Sequence, residues 1–172
     1  MGKGAMDSFY DGLKKLNTYC ATLSGVLLLF VTFSIVADVF LRYLFNRPTI
    51  WITEVSTYLF LYIIFLGTSY ALQQGMHIRV TFLMGPLSPK AVRVANIVTT
   101  AFAIVFVVVL LWQTSIMTWS AYKGSWTTPT VLNTPYVYFH SIMVIGSFLL
   151  MITLLCTLID QVRGDRPEKP RG

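Results

Sequence analysis

Charge is scarce in this sequence. Only 12% of the 172 residues are Asp, Glu, Lys or Arg, against about a quarter in an average soluble domain. That scarcity argues against a water-soluble globule and leaves one membrane domain as the natural count. Cysteine is scarcer still. Cys20 and Cys156 both fall inside apolar runs, where they read as small packing residues rather than a disulfide or metal framework. The chain has no phosphate-cradling glycine loop, no cluster of metal-ligating residues and no nucleophile beside a base. It is therefore expected to have no catalytic residue, cofactor or metal. Acids are missing where a proton relay needs them: Asp7, Asp11, Asp160, Asp165 and Glu168 all lie outside the apolar runs.

What is abundant is apolar sequence, 55% of the chain. Three runs, 16–37, 55–76 and 94–122, carry no ionisable acid or base. At ~1.5 Å per helical residue each can cross a hydrocarbon core of ~30 Å. A fourth run opens at Pro135. The sequence thus predicts an all-α integral membrane protein with four transmembrane helices, at about 16–45, 49–74, 90–122 and 135–159. A short amphipathic lead-in is expected over 1–15, from Phe9, Leu13 and Leu16 at helical spacing, and a charged tail over 161–172. The first run exceeds the ~7–15 residues of a signal-peptide core and lacks an Ala-x-Ala cleavage site, so it reads as an uncleaved anchor. Gly75, Gly85, Pro86 and Pro89 break the pattern between helices two and three, where a short amphipathic interfacial segment is expected. Trp119 and Tyr122 suit an interfacial aromatic belt.

The basic residues sort by side. Ten lie in the N-terminal flank, the link between helices two and three, and the tail; Arg42, Arg47 and Lys123 lie at the opposite end. The positive-inside rule places both termini in the cytoplasm. Because the cations gather at segment ends rather than on one patch, the net charge of +6 is membrane topology and not a nucleic-acid surface.

Four ionisable residues, Asp38, Arg42, Arg47 and Glu54, crowd the junction between helices one and two. Asp38 and Arg42 are four apart with the acid first, the favourable order for a helical pair. They read equally as snorkelling interface residues or as a polar contact with a partner helix or lipid phosphate. Glu54 sits in the opening turns of helix two, favoured there by the helix dipole or by a neighbouring arginine. Gly67, Ala71 and Gly75 place small residues on one face of helix two, for packing within the bundle or against another subunit. His77 and His140 could suggest a haem pair, but they fall on opposite sides of a ~30 Å core.

Taken in order, Arg42-Tyr43-Leu44-Phe45-Asn46-x-Pro48-x-x-Trp51-x-x-Glu54, then Gly67-x-x-x-Ala71-Leu72-x-x-Gly75-x-His77-Ile78-x-Val80, then Pro86-x-x-Pro89 form a pattern. It resembles the DctQ-like small membrane subunit of tripartite ATP-independent periplasmic (TRAP) transporters. Two positions depart from it: Thr53 stands where the family often has a first of two acids, and Thr81 follows His-Ile-x-Val where an acid is common. The resemblance implies a bacterial inner-membrane scaffold. It would brace a large transport subunit that takes up organic acids on an ion gradient, typically sodium, from a periplasmic substrate-binding protein. It singles out Arg42, Asn46, Arg47, Trp51 and Glu54 for contact with a partner or phospholipid, Gly67, Ala71 and Gly75 for helix packing, and His77 as a family motif residue. The competing reading is a stand-alone four-helix proton-coupled exporter, for which Asp38 is the remote candidate carrier.

Overall fold

The computed structural model describes residues 3–46, 49–74 and 89–163. Among them are four helices: α1 (Lys3–Phe45), α2 (Ile50–Gln73), α3 (Pro89–Gly124) and α4 (Tyr136–Arg163). All four are long and apolar enough to cross a membrane, and no strand is found among the described residues. The interfacial segment expected between α2 and α3 lies outside the described residues.

Two boundaries differ from the sequence expectation. The lead-in at 1–15 is not a separate piece; α1 is one helix of 43 residues. No proline interrupts it. Its first turns are also held: Leu13 and Asn17 are buried, and the Tyr10 hydroxyl donates to the Cys156 carbonyl of α4 at 3.3 Å. At roughly 64 Å, α1 is about twice as long as the hydrocarbon core is thick. At the far end, α4 runs on to Arg163 rather than stopping at 159. Arg93 of α3 explains this. Its Nε donates to the Gln161 carbonyl at 3.0 Å and its Nη2 to the Val162 carbonyl, serving carbonyls that the last turn of α4 leaves without a helical partner.

The helices pack in the spatial order α1, α2, α4, α3, with α1 against α2, α2 against α4 and α4 against α3. The central pair, α2 and α4, approaches closely at Gly146. A Cβ built on Gly146 of α4 would lie 2.6 Å from the Cβ of Phe65 and 2.7 Å from its carbonyl oxygen. Only glycine lets these two helices meet backbone to backbone. Towards the hairpin end the same pair stacks Tyr58 on Phe139, ring centroids 3.9 Å apart. An apolar cluster of Leu72, Val107 and Leu154 joins α2, α3 and α4.

The flanking helices spend little of their surface inside the chain. Of the most apolar window of α1, 11% is buried, and of α3 only 6%, against 33% for α4. Phe33 of α1 and Phe102 of α3 are 70% and 73% exposed. Hydroxyls on these helices turn inward on their own backbone: Thr22, Thr32 and Thr99 each donate to the carbonyl four residues earlier. That is how a polar side chain avoids presenting an unpaired donor to lipid.

Candidate functional site

The α1–α2 turn and the α3–α4 loop lie at the same end of the bundle, and each is closed by one buried acid. Asp38, in the last turns of α1, is 5% exposed. Its Oδ1 accepts from the Thr49 backbone N–H at 3.0 Å and from the Thr49 hydroxyl. Its Oδ2 accepts from Nη2 of Arg42 at 2.6 Å. Asn46 ends α1 with φ of 53°, a left-handed conformation that asparagine tolerates better than most residues. Thr49 precedes α2 and caps it only through its carbonyl, which accepts from the Ile52 N–H at 3.2 Å, because its hydroxyl is given to Asp38. One carboxylate thus fixes the exit of α1 and the entry of α2.

Glu54 does the same for the second connection. Its partners among the described residues come from its own helix and from the loop. Its Oε1 accepts from the Tyr58 hydroxyl at 2.7 Å and from the Thr130 hydroxyl, and its Oε2 from the Leu132 N–H at 3.4 Å. The loop is ordered around this anchor. Thr128 N–H donates to the Thr134 carbonyl at 2.9 Å, and Thr134 N–H to the Thr128 hydroxyl at 2.9 Å. An isolated antiparallel bridge joins Thr127 to Pro135. Ser125 and Asn133 take positive φ at its two bends.

The two acids are therefore occupied by their own chain. What stays open at this end is different: Trp51 and Asn46 are exposed, and the Arg42 side chain is 50% exposed. Among the described residues Arg42 has Asp38 as its one ion-pair partner, which leaves guanidinium donors for a phosphate or a partner's carboxylate. Arg47 lies outside the described residues. So do Gly75 and His77. Of the small-residue face, Gly67 looks onto α1, where an added Cβ would rest 3.7 Å from Ser24 Oγ; Ala71 is half-buried.

Sequence reading did not anticipate Thr130, Leu132, Gly146 or Arg93. The first two lie far along the chain from Glu54, and no local pattern links them. Gly146 carried a weak signal, as a lone glycine within an apolar run. His140 donates Nδ1–H to the Tyr136 carbonyl at 2.9 Å, a helical bond. No group of three or more potential metal ligands occurs among the described residues.

A bundle of four helices able to cross a membrane, with its buried acids spent on closing connections and its flanks left apolar, defines an integral membrane protein built to stand beside other membrane surfaces. Residues 31–164 match the family described as Tripartite ATP-independent periplasmic transporters, DctQ component, and the chain belongs to that family. It is 29% identical over 99 residues to the sialic acid TRAP transporter permease protein SiaT of Haemophilus influenzae, covering 58% of this chain and 16% of that one. It is 30% identical over 86 residues to a putative TRAP transporter small permease protein of the same species, covering 50% of this chain and 51% of the relative. The chain thus spans about half or less of the length of these relatives. The family is a transporter component and not an enzyme family.

Proposed function

We propose that this chain is the small membrane subunit of a TRAP-type secondary transporter, seated in a bacterial inner membrane with both termini in the cytoplasm. It braces a large membrane subunit that carries out ion-gradient-driven uptake, typically with sodium, of organic acids delivered by a periplasmic substrate-binding protein. The observation that carries this reading is the division of labour in the bundle: α2 and α4 hold the fold, while α1 and α3 leave nearly all of their apolar surface unburied. Lipid and a larger membrane partner are the surfaces that such flanks fit.

At the hairpin end Arg42, Asn46, Arg47 and Trp51 contact the partner or phospholipid headgroups. Glu54 contributes through the loop that it anchors. Gly67, Ala71 and Gly75 pack helices, with Gly67 facing α1. The exporter alternative needs Asp38 as a free proton carrier, and a carboxylate already taken by Arg42 and Thr49 works against it. Reconstitution tests the two readings. Liposomes holding this chain together with its large subunit should take up substrate in the presence of binding protein and an ion gradient, and liposomes holding this chain alone should be silent. Proton-driven efflux by the chain alone, lost in Asp38→Asn, would replace the scaffold reading with the exporter.

A further inference from the structure

Far from the hairpin end, α1, α2 and α4 meet in a polar layer. Asn17 is fully buried. Its Nδ2 donates to the Thr153 hydroxyl of α4 at 3.2 Å, and Thr153 passes its own hydrogen to the Leu149 carbonyl at 2.9 Å. With the Thr153 hydrogen given to Leu149, the Asn17 amide turns its N–H toward Thr153. The consequence is that Asn17 Oδ1 is buried with no hydrogen-bond partner among the described residues, and Gln73 Oε1 of α2 is in the same condition.

Helix register brings these two residues to one level. Ser24 of α1 lies opposite Gly67 of α2, and two turns further along this antiparallel pair the facing residues are Asn17 and the Gln73–Gln74 step. Likewise Phe65 meets Gly146, and two turns on along α2 and α4 are Leu72 and Thr153. Ser69, one turn back from Gln73 on α2, is fully buried and its hydroxyl also lacks a partner. A serine can rotate to a carbonyl of its own helix. An amide oxygen carries no hydrogen, and two acceptors cannot satisfy each other.

We propose that a water molecule is bound in this layer, donating its two hydrogens to Asn17 Oδ1 and Gln73 Oε1 and accepting from the Ser69 hydroxyl. Three such bonds are what a buried water ordinarily makes. A monovalent cation is the other small species that two carbonyl oxygens attract, but neither amide offers charge to offset it. The water makes the α1 seam a bridged contact rather than a direct one. α1 packs mainly against α2, and its contacts to α4 there are hydrogen bonds from Tyr10 and Asn17.

The test is a double-substitution cycle on the full chain in detergent, read as thermal unfolding midpoint, alongside cryo-electron microscopy of its membrane complex at water-resolving detail. Asn17→Leu and Gln73→Met should each lower the midpoint by a few degrees, and the double variant by less than the sum, because removing both acceptors removes the demand for the water. The map should show density ~2.7–3.2 Å from both amide oxygens. Exchange of sodium for potassium or choline should leave the midpoint unchanged. Additive losses, a direct Gln73-to-Asn17 amide bond, capture of either amide by the chain's own 75–88 segment, or a midpoint that follows the cation would each overturn the proposal.

Discussion

At the hairpin end, the carboxylates of Asp38 and Glu54 gather six hydrogen bonds between them from Arg42, Thr49, Tyr58, Thr130 and Leu132. About 30 Å away along α1, the amides of Asn17 and Gln73 each leave an oxygen unspent in a buried layer. Both regions join helices through polar side chains, but they solve different problems. The hairpin end must fix two turns whose backbone N–H groups have no helix to serve them, so a charged acceptor with two oxygens is well used there. The inner layer lies between helices whose backbones are already satisfied, so its amides serve other side chains and the proposed water rather than a turn. Charge is placed where turns need closing, and neutral amides where helices merely touch.

The central α2–α4 contact supports both regions, so breaking it sets the upper limit on any effect. Gly146→Leu should be the most damaging single change, because its side chain would meet the Phe65 backbone, which cannot move aside without parting the helices. A loss of about 3 kcal/mol, the upper end of what overpacking costs, should appear as failure to recover folded monodisperse protein. Next comes the hairpin end itself. Glu54→Gln keeps the shape but weakens the acceptor for Thr130 and Leu132, so the unfolding midpoint should fall by several degrees. Backbone hydrogen exchange should rise over 126–135 and stay unchanged across the Asn17 layer. If exchange rises equally in both places, the two regions are one cooperative unit and the contrast drawn here is wrong.

The helical architecture was legible because it rests on local signals. Charge-free runs give the spans, Pro89 and Pro135 mark helix starts, and Asn46 marks an end. The motif residues around Arg42 and Trp51 could be picked out for the same reason. The roles of Asp38 and Glu54 could not be assigned from local sequence. Asp38 forms the ion pair with Arg42 that their spacing suggests, but it also holds Thr49, and the intervening residues give no periodic signal of that. Glu54 suggests a helix dipole or a nearby arginine, and local sequence gives no sign of Thr130 and Leu132, which reach it from a loop that tertiary packing brings near. That α1 runs unbroken through its polar first turns was not legible, because the bond holding Tyr10 comes from the Cys156 carbonyl of α4. The closeness of Gly146 to Phe65 is invisible without the neighbouring backbone.

This separation between residues that hold the fold and residues left for a partner is the central claim, and one doubly substituted variant tests it most directly. Arg42→Ala combined with Trp51→Ala removes two of the large side chains exposed at the hairpin end. Arg42 is half-exposed and Asp38 keeps its two Thr49 hydrogen bonds without it, so the isolated chain should unfold within a few degrees of the unaltered one. The same variant, tagged and purified in mild detergent from cells that express the large subunit, should retain markedly less of it than the unaltered chain. A variant of unchanged stability that retains a full complement of large subunit would contradict the account.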